Sequence, residues 1–160
     1  MVDLRRRGFL FGRARPPEPQ IRPPWALPEN DFIARCTRCE ACRQGCPQQI
    51  IVMGNGGFPT IDFSRAECTF CGDCVAACEP KALQRRDDTG PAWTYKAIIA
   101  ETCLAEQRVE CRTCGDYCDA NAIRFSPQLN ACPIPDIDFD KCTGCGACVE
   151  PCPVTAIRIG

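Results

Sequence analysis

Histidine is absent from all 160 residues. That absence removes imidazole acid–base chemistry, haem ligation by imidazole, Rieske-type centres and Cys/His zinc fingers together. Aromatic residues supply only 8% of the chain, so a core made of hydrocarbon alone is thin and something else must help hold the fold together. No apolar stretch approaches the ~20 residues that a membrane-spanning helix needs. Charge of one sign is not in excess either. The 19 basic and 20 acidic residues leave a net charge of -1, which excludes a polyelectrolyte binder of nucleic acid. The distribution is uneven, because residues 1–30 hold six Arg against Asp3, Glu18 and Glu29. A basic start precedes a mildly acidic body.

What the chain has in abundance is cysteine, 17 in all. Three stretches share the spacing C-x2-C-x2-C-x3-C: Cys36, Cys39, Cys42, Cys46; Cys68, Cys71, Cys74, Cys78; and Cys142, Cys145, Cys148, Cys152. A disulfide framework fits poorly. The count is odd, the spacings are monotonous, no cleavable signal is expected, and thiols this crowded cannot all meet the geometry of a disulfide. Zinc sites usually pair two distant C-x2-C knuckles, which leaves three closely spaced cysteines and a fourth as awkward tetrahedral donors. The spacing suits the [4Fe-4S] cubane, where three thiolates wrap one loop around the cluster and the fourth serves a neighbouring cluster.

Internal repetition exposes a fourth, irregular copy. An apolar pair follows the last cysteine of each regular stretch: Ile50-Ile51, Ala82-Leu83 and Ala156-Ile157. The same offset finds Ala122-Ile123 after Cys118, and upstream lie Cys114, Cys111 and Cys103, as C-x7-C-x2-C-x3-C. Phe32-Ile33, Ile61-Asp62-Phe63, Ile98-Ile99 and Ile137-Asp138-Phe139 precede the four motifs, each reading as a short strand. The expectation is an α+β fold with four copies of strand, cysteine loop, short helix and strand, paired into two bacterial-type ferredoxin modules of pseudo-twofold form, residues 31–86 and 96–160. Three clusters are expected from the regular stretches and a fourth from the irregular one.

In the two-cluster arrangement the fourth cysteine crosses to the other cluster. That predicts Cys36, Cys39, Cys42 with Cys78; Cys68, Cys71, Cys74 with Cys46; Cys142, Cys145, Cys148 with Cys118; and Cys103, Cys111, Cys114 with Cys152. Cys132 fits no spacing and reads as a bystander before the last copy. Asp87-Asp88-Thr89-Gly90-Pro91 reads as a turn-rich linker. Gly72, Gly144, Gly146 and Ala147 leave room for backbone amides to approach cluster sulfurs. No nucleophile–base pair stands out, so no catalytic residue is assigned and an enzyme is not expected. Trp25, Trp93 and Tyr95 are expected to close small cores, and Glu79 with Arg85-Arg86-Asp87-Asp88 to form a solvated face.

Residues 1–30 read as a flexible arm with six prolines between Pro16 and Pro28. Arg6-Arg7-Gly8-Phe9-Leu10 looks like the core of a twin-arginine export signal. Gly12, Arg13, Ala14, Arg15 and two prolines then occupy the place of its apolar region, so export is not expected. The arm is assigned instead to partner docking through Arg6, Arg7 and Arg13.

The Arg6–Leu10 start with Gly12-Arg13, the Ile21-Arg22-Pro23-Pro24-Trp25 segment, the Cys36-Thr37-Arg38-Cys39 opening and Cys103-Leu104-Ala105 with Val109-Glu110-Cys111-Arg112-Thr113-Cys114 resemble the ferredoxin-type NapF family of periplasmic nitrate reductase systems. The resemblance runs nearly end to end. It implies a cytoplasmic accessory protein that meets the precursor of the catalytic subunit NapA before export and assists iron-sulfur cluster loading or reduction. One departure is that Glu79 separates Cys78 from Pro80. Two other functions stay open at this point: an electron-transfer polyferredoxin subunit of a larger oxidoreductase, and a purely structural iron-sulfur scaffold.

Overall fold

The computed structural model describes residues 20–85, 90–128 and 131–160. The described residues form four short α-helices, a 3-10 turn at Asn55–Gly57 and six strands, in the order α1 (Glu29–Arg35), α2 (Ala41–Gln44), β1 (Ile51–Met53), β2 (Pro59–Ile61), α3 (Asp73–Ala76), β3 (Ala97–Ile99), α4 (Thr113–Asp116), β4 (Ile123–Gln128), β5 (Ala131–Ile137) and β6 (Ile157–Ile159). The strands form three antiparallel pairs, β1 with β2, β3 with β6 and β4 with β5. The two hairpins β1·β2 and β4·β5 are joined in register at Ile51 with Ile61 and at Ile123 with Ile137. Among the described residues no helix is long and apolar enough to cross a membrane.

Apolar residues that follow the fourth cysteines supply much of the core. Ile50, Ile51, Ala82 and Leu83 are buried in the first half, Ala122, Ile123, Ala156 and Ile157 in the second. Each pair sits where the chain leaves its cysteine loop, so apolar residues at one offset help close both halves. Phe63 and Trp93 are buried as well and join the two halves into one continuous cluster. Their rings meet edge to face at 6.1 Å.

Several expectations need correcting. Phe32-Ile33 is not a strand; it lies inside α1, where Phe32 is fully buried. Pro28 stands at the helix start, Glu29 and Asp31 occupy the first turn and Arg35 the last, so the charges complement the helix dipole. Ahead of this helix the chain pairs through a single bridge between Ala26 and Leu83. Ile61 and Ile137 end strands, but the Asp that follows each one turns the chain. Asp62 accepts the Ser64 amide at 2.9 Å and Asp138 the Asp140 amide at 3.2 Å, local bonds that compete with strand continuation. The short helix expected in the last copy is a series of turns over residues 147–151.

The described part of the supposed arm is not loose. Ile61 donates its amide to Ile21, Leu27 to Ala82 and Gln84 to Trp25, while Trp25 donates to Ala92. Arg22 is 8% exposed. It donates to both Glu29 carboxylate oxygens at 3.0 and 2.7 Å and to the Pro59 carbonyl at 3.0 Å, with its guanidinium 5.0 Å from the Phe32 ring centre. Residues 20–28 are therefore part of the first half. Arg6, Arg7 and Arg13, and the linker residues Asp87, Asp88 and Thr89, lie outside the described residues.

Candidate metal centres

No two of the seventeen cysteines are joined in a disulfide in this structure. Three sets of four line three separate concavities. Site I brings together Cys36, Cys39, Cys42 and Cys78 beside Phe32, Ala82 and Leu83. Site II gathers Cys46, Cys68, Cys71 and Cys74 beside Trp25, Ile51 and Phe70. Site III gathers Cys118, Cys142, Cys145 and Cys148 beside Ala97, Ile123 and Ile159. The three hollows are alike in size, 340, 350 and 330 Å³ of space that runs out into open solvent. Each set holds three cysteines of one loop and the last cysteine of another, as the crossed arrangement predicts.

The backbone explains how a short loop turns its thiols inward. In the first and second loops the residues two and four places after the first cysteine are left-handed: Arg38 and Glu40, Phe70 and Gly72. The last loop has Gly144 and Gly146 there. Left-handed backbone costs a non-glycine residue about 1–2 kcal/mol, so Arg38, Glu40 and Phe70 record strain that the loop geometry demands. Past each fourth cysteine the same device recurs three residues on, at Gln49, Lys81, Asn121 and Thr155. Each of these amides donates to the carbonyl of its own fourth cysteine.

The irregular copy keeps this exit turn but not the entrance. Arg112, next after Cys111, has φ of -131°, and the long spacer is taken up by turns over residues 104–108. Cys103 and Cys111 nevertheless lie near enough to Cys114 for their charges to act on it. These three thiols are the candidate donors of the irregular copy, labelled site IV. Cys152, expected to complete it, accepts the Ala156 amide at 3.2 Å. Cys118 and Cys78 likewise accept the amides of Ala122 at 3.3 Å and Leu83 at 3.4 Å. Cys132 is in none of the three concavities; its thiol donates to the Arg108 carbonyl at 3.2 Å.

Burial and crowding disfavour the ionised form of several of these thiols. Burial, with neighbouring thiolates adding to it, pushes Cys74 and Cys148 up to about 12 and Cys42 and Cys114 up to about 11. Burial also takes Cys68 up to about 11, against a lowering bond from the Phe70 amide. Cys39, at the surface, is shifted down by the Ala41 amide and then by Thr37. Four thiols around one hollow, three from one loop and the last from another, are the donor set of a polynuclear iron-sulfur core, whose ligands stand on different irons.

Two cations escaped the sequence reading. Arg85, assigned to a solvated face, lies 4.5 Å over the Trp25 ring and donates to the Cys71 carbonyl at 3.0 Å. Lys96 donates to the Cys142 carbonyl. A run of charges gives no hint of either contact. The structural signal is the tight turn each cation braces.

Comparison with known proteins agrees. A family model described as a 4Fe-4S dicluster domain matches residues 30–83, and one described as a 4Fe-4S binding domain matches residues 135–158. The chain is 43% identical over 156 residues to the ferredoxin-type protein NapF of Escherichia coli strain K12, covering 98% of this chain and 94% of that one. The chain belongs to the NapF family of ferredoxin-type proteins. NapF of Haemophilus influenzae Rd is 50% identical over 139 residues, covering 87% of this chain and 78% of that protein. The methylamine utilization ferredoxin-type protein MauM of Methylobacillus flagellatus is 34% identical over 179 residues, 95% of this chain and 75% of its own. Membership in the NapF family and the two 4Fe-4S domains make this an iron-sulfur electron-transfer or accessory protein with mixed short helices and strands. Cys103 to Cys118, the irregular NapF-like segment, falls between the two matched ranges.

Proposed function

We propose that the chain carries four [4Fe-4S] clusters at sites I to IV and acts in the cytoplasm on the precursor of NapA, loading or reducing its iron-sulfur cluster before export. When bound, each cluster supplies a reversible one-electron store. The chain's own part is to present four thiolates per site, to exclude water with the apolar pairs after each fourth cysteine, and to donate amides to the sulfurs. The observation that carries the reading is the crossing of the fourth cysteines at three sites, which ties each half into a unit through its metal. Near-identical exit turns in all four copies support a pseudo-twofold repeat within each half and extend the reading to Cys103, Cys111, Cys114 and Cys152.

Anaerobic reconstitution with iron and sulfide counting tests the cluster number. About sixteen irons per chain is the expected result, from four irons per cubane; about twelve would leave site IV empty. Docking is assigned to the basic residues Arg6, Arg7 and Arg13. Because residues 20–28 are built into the first half, the arm must be cut after residue 19 rather than 30. Co-purification with NapA precursor should then fall while iron content holds. Undiminished co-purification would refute the docking role.

A further inference from the structure

Sites II and III are built by different halves of the chain, yet their loops touch. The Cys68 amide donates to the Cys145 carbonyl at 2.8 Å. One residue further on, Gly146 has φ of +86°, and a Cβ there would stand 2.1 Å from the Phe63 ring. Only glycine lets the loop come this close. Trp93 flanks the contact from the other side. Its ring meets Phe70, in the site II loop, at 5.3 Å, and its Nε1 donates to Thr143, in the site III loop, at 2.8 Å. The contact is aromatic and hydrogen-bonded, and two of its rings, Phe63 and Trp93, are buried.

The outer sites lie beyond this contact on each side. α2 carries Cys42 of site I and packs on α3, which carries Cys74 of site II; a Cβ at Gly45 would be 3.3 Å from that of Ala77. At the other end α4 carries Cys114 of site IV, and the turn that closes it, with the Cys118 amide donating to the Gly115 carbonyl at 3.1 Å, delivers Cys118 to site III. The order in space is I, II, III, IV.

We propose that the contact of the Cys68 loop with the Cys145 loop is an electron junction, which makes the four sites a single row with its two outlets at sites I and IV. The inference rests on cluster occupancy as proposed above. With clusters held by the thiols of sites II and III, one electron crossing the junction would leave site II oxidised by one unit and site III reduced by one unit. No bond or proton changes place. The electron comes from a low-potential one-electron donor such as a reduced viologen, and a higher-potential acceptor removes it at the far end. Two modules lying side by side without a junction would instead each trade electrons with a separate partner.

The test uses the full chain with Cys39→Ala and Cys103→Ala together, which removes one ligand from each outer site and leaves sites II and III intact. After anaerobic loading to about eight irons, from four per cubane, and reduction with viologen, the expected EPR spectrum shows the splitting and fast relaxation of two interacting spins. Two simple, independent signals at full iron content would overturn the junction while leaving cluster binding untouched. A low iron count in the unsubstituted chain would strike the cluster assignment itself. Should the double variant fail to load, hydrogen exchange in the unsubstituted, loaded chain decides. The Cys68 amide should exchange at least about a hundredfold more slowly than exposed amides of the same loop, and Phe63→Ala should erase that difference. Exchange as fast as the exposed amides would overturn the proposal.

Discussion

The two halves close around their cysteine loops by different means. In the second half the outer pair is a proper ladder, β3 with β6, running from Ala97 with Ile159 to Ile99 with Ile157. In the first half the same place holds one bridge, Ala26 with Leu83, reinforced by a helix, a buried Arg and two aromatic rings. The inner hairpins differ too: β1·β2 has three residues a side, while β4·β5 has six and seven and an irregularity between Ser126 and Gln128. What stays the same is the inward set of thiols and the left-handed residue after each fourth cysteine. The loops define the unit, and the surrounding chain closes it by whatever packing is at hand.

Iron removal sets the two closures against each other most severely. If the clusters are the common skeleton, chelation under anaerobic conditions should abolish the far-ultraviolet circular dichroism of both halves, because metal binding and folding are then one equilibrium in each. Survival of the β3·β6 and β4·β5 amides in hydrogen exchange after iron loss would show that the second half stands on its strands alone. Loading should also release protons. The thiols pushed up to about 11 or 12 are protonated at neutral pH, so acidification opposes loading and a weakly buffered sample should turn acid as clusters form.

Phe32→Ala comes next in size. The ring is fully buried between the site I loop and Arg22, and losing it should cost about 3–5 kcal/mol by the usual scale for a buried aromatic. Denaturant unfolding of the loaded chain measures it. The loss should speed exchange in the first half and leave the β4·β5 amides unchanged; equal loosening of both would mean that the halves unfold as one.

The cysteine sets were legible because the signal is local. Three thiols at every third residue fix a loop by themselves, and the fourth follows from the repeat. Residues 20–28 were misread for the opposite reason. Their prolines break every periodicity, and what holds them, such as Arg22 with Pro59 or Ile21 with Ile61, lies more than thirty residues away. Phe32-Ile33 read as a strand because two adjacent apolar residues carry no period; Pro28 and the acidic first turn were the better signal. The junction at Gly146 was half visible. Its glycine was marked for the approach of amides to sulfur, whereas the neighbour that excludes a side chain is the Phe63 ring.

Arg22→Gln probes the brace alone. The substitution removes a bidentate pair to Glu29 and the stacking on Phe32 while leaving the backbone of residues 20–28 free to stay in place. A charged hydrogen-bonding group at this depth is worth about 1.5–3 kcal/mol, so a drop of that order in the first half's stability is expected. Arg22→Lys should recover little, since an ammonium cannot span both carboxylate oxygens and the Pro59 carbonyl. Full recovery by Lys would show that the site needs only a positive charge.

The smallest effect is a pH dependence that tells the brace from the ladder. The Arg22 side chain, through its hydrogen bonds first and its charge after, holds the Glu29 carboxyl below its ordinary value. The folded state therefore favours the carboxylate. Its contribution is complete above the ordinary carboxyl range and disappears as pH falls through the lowered value, where the native carboxyl also protonates. Glu29 is about half exposed on its side chain, so solvent screening keeps the term below about 1 kcal/mol. Glu29→Gln should remove this acid-side slope from the exchange rates of the Ile61 and Leu27 amides, which report on residues 20–28, and leave those of β3 and β6 as they were. A slope that persists in the variant would place the titrating group elsewhere and detach the brace from the stability of the first half.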